Sequence, residues 1–236
     1  MRFLRSGWTA ALLLWCLVAA AHAATPVTVS NIEAMTNWHD CTTCANGAGT
    51  AVYSMTQHQA SPSLNGNSTK FSLAGTVGLS DALWYRRSVE NSTGVNFAYD
   101  LYYYYTNPAA PSGMEFSTGE HVGYKWYRWD WQCSFVFGVW RAWDNANGKW
   151  VNTTAPCARP TAYTWTHTTF ETHRYNGKVY FDAVTVNGQK YYVNFSCYPK
   201  IVDYSGNWVT IHFQLNGDKV QTPFTVWANK VSLKYW

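Results

Sequence analysis

TTFETHRYNGKVYFDAVTVNGQKYYVNF, residues Thr168–Phe195, reads as two tight hairpins in succession. Side chains alternate with period two from Thr168 to Arg174 and again from Val179 to Val186, with Asn176-Gly177 between the runs. Phe181–Val186 then faces Lys190–Phe195 across Asn187-Gly188. Asn-Gly supplies two residues that tolerate positive φ, which the favoured two-residue hairpin turn demands. Working outward, the same chemistry recurs at Asn65-Gly66, Asn147-Gly148 and Asn216-Gly217, and Ser205-Gly206 is a related turn signal. Phe224–Trp236 alternates again, Phe224 and Val226 against Thr225 and Trp227, then Val231, Leu233 and Tyr235 against Ser232 and Lys234. No amphipathic helix, linker, repeat or low-complexity tract follows the first 23 residues. The pattern predicts one antiparallel all-β domain, a sandwich or jelly roll.

The chain opens Met1-Arg2-Phe3-Leu4-Arg5, continues with an apolar stretch centred on Ala10–Ala20, and reaches Ala21-His22-Ala23. A basic start, a hydrophobic segment and an A-x-A site predict a secretory signal over residues 1–23 and a mature domain over 24–236. The competing reading is a membrane anchor, but the apolar run falls short of the roughly 20 residues that span a bilayer. We expect a secreted protein, extracellular or periplasmic, with no transmembrane segment. Losing Arg2 and Arg5 leaves 15 basic against 13 acidic residues, near neutrality, with no basic run. Nucleic acid is therefore not an expected partner. The remaining 213 residues suit a single large β-sandwich, expected to be monomeric.

Five cysteines follow the signal: Cys41, Cys44, Cys133, Cys157 and Cys197. An oxidising compartment favours disulfides. Cys41-Thr-Thr-Cys44 could be a local staple, a redox pair or half a metal site; with no second C-x-x-C and no surrounding βαβ pattern, a staple is expected. Pairing Cys133 with Cys157 would close a loop worth roughly 3 kcal/mol in the loop-entropy model and leave Cys197 over. Spacing alone does not settle that pairing.

Function is sought in Tyr124–Trp143, YKWYRWDWQCSFVFGVWRAW, where five tryptophans interleave with arginine, aspartate and glutamine. With period two, Tyr124, Trp126, Arg128, Asp130 and Gln132 share one face, and Trp129, Trp131 and Cys133 the other. Flat rings beside carboxylate, guanidinium and amide groups are what holds a sugar, whose C–H face stacks while its hydroxyls pair. The alternative is an aromatic-rich sandwich strand with one wet face. We expect Trp126 to stack on a sugar, Arg128, Asp130 and Gln132 to pair with hydroxyls, and Glu115 on a neighbouring strand to accept from one. Trp140, Trp143 and Asp144 form a second tier on a loop rimming the same groove. In Asp100–Tyr105, Leu101, Tyr103 and Tyr105 face one way and Asp100, Tyr102 and Tyr104 the other, a face that could extend the sugar surface.

Other chemistry finds little support. The seven histidines form no metal pattern; His167 and His173 share a strand face but stand too far apart to bind one ion unaided. No G-x-S-x-G elbow is present. No cofactor is expected.

Several motifs in order carry a resemblance: the early Cys-x-x-Cys, Ser61-Pro-Ser-Leu-Asn-Gly66, Tyr99-Asp100-Leu101-Tyr102, Gly113-Met-Glu-Phe116, Gln132-Cys133, Trp143-Asp144-Asn145 with Trp150-Val151, and Val226-Trp227 to Tyr235-Trp236. From about Asn37 to Trp236 the chain resembles secreted bacterial proteins of the concanavalin A-like lectin/glucanase fold. That resemblance implies a jelly roll of two antiparallel sheets, one curved into a concave face. A more distant similarity is to family 16 glycoside hydrolases, which carry E-x-D-x-(x)-E on a concave strand, with carboxyls about 5 Å apart as retention requires. Met114-Glu115-Phe116-Ser117-Thr118-Gly119-Glu120 keeps both glutamates, with Ser117 in place of the aspartate. The similarity implies Glu115 as nucleophile and Glu120 as acid/base in a catalytic alternative. Calcium enters because related lectins use it and Asp144–Gly148 offers oxygen ligands; the segment lacks the EF-hand spacing and its bidentate Glu.

The expectation is thus a lectin-like protein that binds a polysaccharide or glycan without catalysis. A glycosidase or polysaccharide lyase using Glu115 and Glu120 is the first alternative. A structural extracellular protein with no sugar site is the second.

Overall fold

The computed structural model describes residues 25–45, 47–90 and 92–236; the predicted signal lies outside them. Fourteen strands run in chain order as β1 (Val27–Ser30), β2 (His39–Cys41), β3 (Val52–Gln59), β4 (Ser68–Ala74), β5 (Asp81–Glu90), β6 (Asn96–Tyr105) and β7 (Gly113–Ser134), then β8 (Val139–Asp144), β9 (Lys149–Pro156), β10 (Trp165–Tyr175), β11 (Lys178–Val186), β12 (Gln189–Cys197), β13 (Lys200–Asn216) and β14 (Phe224–Tyr235). The strands pair antiparallel, in an eight-stranded sheet ordered β12-β11-β10-β6-β14-β4-β3, with β1 on β14, and a six-stranded sheet ordered β2-β5-β13-β7-β8-β9. This is the expected jelly-roll sandwich. Among the described residues no helix is long and apolar enough to cross a membrane.

Both predicted hairpins form, with Thr168 opposite Val186 and Phe181 opposite Phe195. Asn176 and Asn187 take positive φ, as their turns require. The phase change in β14 is a bulge: its register on β6 shifts between Asn229 and Ser232. The buried Glu33 carboxylate accepts from Lys230 N and Val231 N there, satisfying backbone donors that the ladder leaves unpaired. One turn reading fails. Ser205-Gly206 lies inside β13, and Gly206 is glycine because the Trp208 ring would stand 2.4 Å from a Cβ.

The alternation of Tyr124–Cys133 sorts its rings as expected. Tyr127, Trp129, Trp131 and Cys133 are buried between the sheets. Trp131 packs on Phe181, Phe97 on Trp129, and Phe71 on both Trp84 and Phe213, at centroid distances of 5.1, 5.0, 5.0 and 4.6 Å. Rings of this size at offset and edge geometries fill the sandwich with few side chains. Disulfides join Cys41 to Cys44 and Cys133 to Cys157, and Cys197 is free and buried.

Trp140 is a correction. It is 1 % exposed and packs on Phe116 and Phe170, because its cross-strand partner Cys133 faces the core. The outer face of Asp100, Tyr102 and Tyr104 is another. β6 belongs to the eight-stranded sheet, so this face lies on the far side of the sandwich from Tyr124–Gln132. There Asp100 accepts from His167 and Thr169, and His167 stacks on Tyr102.

Candidate functional site

β7 is the spine of the site and folds back on itself. Gln132 Nε2 donates to Glu115 Oε1 at 2.9 Å although 17 residues separate them, and Trp126 stacks on His121. Only a reversal near Gly123, which has positive φ, allows both contacts. The Tyr124–Gln132 limb therefore lies beside the Gly113–Val122 limb. Glu115, Ser117 and His121 then share a surface with Trp126, Arg128, Asp130 and Gln132.

Neighbouring strands complete that surface. In β13, Trp208, Thr210, His212, Gln214 and Asn216 alternate with the buried Val209, Ile211, Phe213 and Leu215. In β5, Asp81, Leu83 and Tyr85 oppose Asn216, Gln214 and His212. On the other flank Gln132 pairs with Arg141 in β8, and Trp143 with Trp150 in β9. The outer face of the six-stranded sheet thus carries two adjoining clefts. A polar one of about 230 Å³ has Asp81, Glu115, Ser117, Arg128, Asp130, Gln132 and Asn216 along its floor, with Trp143 and Trp150 at one side. An aromatic one of about 740 Å³ is lined by Tyr85, His121, Trp126, Tyr204 and Trp208 with Arg87. Cys44, Leu83 and His212 belong to both.

Hydrogen bonds fix the polar floor as a chain. Arg141 Nη1 donates to Gln132 Oε1 at 2.9 Å, and Gln132 donates onward to Glu115. Asn216 Nδ2 donates to Glu115 Oε1 at 3.0 Å and to Asp81 Oδ2 at 3.1 Å. Arg128 is ion-paired with Asp130. Thr210 donates to Gly119 O, so His212 Nε2 donates to Thr210 Oγ1 at 2.9 Å and its Nδ1 is left as an acceptor. Three buried polar atoms on the floor have no partner, the acceptors Asp130 Oδ1 and Asn216 Oδ1 and the donor Arg128 Nε.

Burial sets the protonation states. It pushes Glu115 up to about 8, helped by the charge of Asp130 and opposed by the Asn216 and Gln132 amides. Asp81 rises to about 6 for the same first reason, opposed by donors from Asn216 and Gly217. His212 falls to about 4 through burial, and so does His121 with the Arg87 charge adding to the effect. At neutral pH both imidazoles are neutral and Glu115 is largely protonated.

The structure brings Glu115, Arg128, Asp130, Gln132 and Trp143 together in the polar cleft and puts Trp126 in the aromatic one. Trp126 is not a free platform. His121 lies parallel at 5.2 Å and the Arg128 guanidinium sits over its ring at 4.5 Å, whereas Trp143 and Trp150 line the polar cleft. Gly119 makes this packing possible, since a Cβ there would come within 2.7 Å of Trp126 Nε1.

Asp144 is engaged within its own turn. Its carboxylate accepts from Ala146 N, Asn147 N and Asn147 Nδ2, which closes the β8–β9 turn. Among the described residues no cluster of three or more His, Cys, Asp or Glu is arranged to hold a metal ion. The Glu115/Glu120 pair does not form. The β7–β13 register is regular from Gly113 to Gly123, so residues five apart face opposite ways. Glu120 opposes Val209, is 0 % exposed, and pairs with Arg174 of the other sheet. Sequence reading missed the contributions of β5 and β13, although the alternation from Trp208 to Asn216 is visible in the chain.

The sequence matches no protein-family model and no curated protein. Solved structures do share the architecture. The cellulose induced protein Cip1 aligns with a TM-score of 0.53 at 12% identity, over 84% of this chain and 91% of that one. A marine PL-14 alginate lyase from Aplysia kurodai aligns with a TM-score of 0.53 at 10% identity, over 89% and 99%. The shared feature is the concanavalin A-like jelly roll.

Proposed function

We propose that the outer face of the six-stranded sheet binds a polysaccharide chain. The observation that carries this reading is the pair of adjoining clefts, in which Trp143 and Trp150 stand beside a fixed floor of amide, carboxyl and guanidinium groups. Sugars present both an apolar C–H face and a fringe of hydroxyls, and this surface offers partners to both. A groove shared by two clefts suits several sugar units in a row. The Cip1 and PL-14 likenesses supply the fold alone. Two disulfides support a route through an oxidising compartment, and with the predicted signal they support secretion.

One observation favours catalysis as a second reading. Glu115, which burial holds largely protonated, shares the polar cleft with a second carboxyl group, that of Asp130, and a pair of carboxyl groups is what glycoside hydrolysis uses. Asp130, not Glu120, is the second carboxyl in that reading.

Pull-down of residues 24–236 on insoluble polysaccharides and a glycan array, assayed in parallel for reducing-sugar release, tests both. Retention without release, lost in Trp143→Ala, is the result expected. Release abolished by Glu115→Gln makes the protein a hydrolase. Neither retention nor release leaves a structural extracellular protein.

A further inference from the structure

Three turns meet at one end of the sandwich, and both sheets contribute to them. The β7 reversal carries Tyr124 and Lys125; Ile201 of β13 stands opposite Lys125, and Lys200 opposite Trp126. The β10–β11 turn brings Tyr175 and Lys178, and a Cβ placed on its Gly177 would stand 4.0 Å from Lys125 Nζ. The connection from β12 to β13 adds Tyr198, with Lys178 Nζ 5.1 Å from its ring centroid. Tyr124, Tyr175, Tyr198 and Ile201 are each more than half exposed, and Lys125 and Lys200 are exposed beside them. Large side chains gathered in the open in this way mark an interaction surface.

Charge and composition select the partner. Residues 123–126, 175–178 and 198–203 contain three lysines and a single acid, Asp203, so the patch attracts an anionic surface. A second copy of the chain does not fit, because a two-fold contact would set lysines against lysines. Protein interfaces in general are depleted in lysine, whereas tyrosine is enriched where proteins meet the membrane–water boundary. Ile201 has nothing to offer sugar hydroxyls but gains by entering the headgroup–acyl boundary. Tyrosine rings settle at headgroup level with their hydroxyls in water, and lysines are drawn to acidic lipids.

We propose that this end of the sandwich docks peripherally on anionic lipid headgroups, with Lys125, Lys178 and Lys200 toward the phosphates and Tyr124, Tyr198 and Ile201 in the interface. The docking does not depend on the polysaccharide-binding reading. It begins where the aromatic cleft ends, at Lys200 opposite Trp126, and uses no residue of the polar cleft.

Co-sedimentation of the mature chain with vesicles tests the docking. We expect vesicles of equal parts phosphatidylglycerol and phosphatidylcholine to bind about tenfold or more strongly than pure phosphatidylcholine. Binding should fall at least about threefold at about 1 M salt, where the screening length shrinks to about 3 Å. Lys125→Glu/Lys178→Glu should lose about tenfold or more of the vesicle affinity and keep wild-type retention on polysaccharide gels; undiminished vesicle affinity overturns the proposal. Tyr124→Ser/Ile201→Ser should lose about threefold, and unchanged binding there reduces the contact to charge alone and overturns the proposal too. Melting temperatures check that both variants fold. Should either fail to fold, wild type still decides, since equal binding or no binding to the two vesicles overturns the proposal outright. Absence of vesicle binding, together with retention on native alginate that the lysine variant loses, overturns it in favour of an acidic polysaccharide at the same patch.

Discussion

Gly119→Ala probes the way the two clefts are joined. Gly119 lies between Thr210 and the Trp126 indole, where a Cβ would come within 2.9 Å of Thr210 Oγ1 and 2.7 Å of Trp126 Nε1. Ordinary contact begins near 3.4 Å, so the indole must retreat by about 0.7 Å and the hydroxyl by about 0.5 Å. Both are side-chain tips, so the fold can yield. The retreat breaks the Arg128–Trp126 stack, worth about 0.5–1 kcal/mol, and loosens the Thr210–His212 bond, worth about 1 kcal/mol. Overpacking of this kind costs about 1–3 kcal/mol in all. The backbone at Gly119 does not need positive φ, so alanine regains about 0.4–1 kcal/mol by restricting the unfolded chain. The net expectation is a loss of about 1–2 kcal/mol, or a melting temperature lower by roughly 2–8 °C in a chain of this size. Glycan retention in affinity gels should fall about tenfold, because Trp126 and Arg128 leave their places together. A melting temperature at or above wild type with unchanged retention would refute the reasoning, since it would mean that the Trp126 packing is not what shapes the groove.

The remaining expectations address single residues. In Glu115→Gln the dependence of stability on pH should change between pH 6.5 and 8. Burial raises the folded-state pKa of Glu115 from 4.5 to about 8, so wild type loses stability as pH rises through that interval, by at most about 1.4 kcal/mol per pH unit for one proton. The substituted amide carries no proton to lose, so thermal melts across that range should be flatter in the variant; equal slopes would sink the assignment. Trp140→Ala should cost about 3–5 kcal/mol of stability from a core cavity, whereas Trp143→Ala should leave the melting temperature nearly unchanged and abolish retention; the reverse pattern would contradict their placement. Glu120→Gln should lower stability by about 1–3 kcal/mol by weakening its buried pairing with Arg174, without altering retention or any sugar release. A selective loss of release in that variant would restore Glu120 to the site.

The parity of each strand was legible in the chain because side chains alternate regardless of what packs on them. Trp129 and Trp131 go inward and Arg128, Asp130 and Gln132 outward, and Asn-Gly dipeptides locate the hairpin turns for a local steric reason. The same parity places Glu115 and Glu120 on opposite faces, against the pairing that the similarity to family 16 glycoside hydrolases implies. Phase errors entered where a loop intervenes: nothing local distinguishes Trp140 from Trp143 until β8 is paired with β7, which seats one ring in the core and the other at the cleft.

What tertiary structure alone decided is the company each outward residue keeps. Asp81, Asp130 and Asn216 come from three separate strands, and only the order β5-β13-β7 draws them around one cleft. Asp100, Tyr102 and Tyr104 have a composition as well suited to sugars as Tyr124–Gln132, yet β6 pairs into the other sheet and turns them to the far side of the molecule. The protonation of Glu115 and the neutrality of His212 likewise come from burial by distant segments. Local sterics determine alternation and turns, but non-local hydrogen bonding selects which strands become neighbours, and a binding site is a property of neighbours.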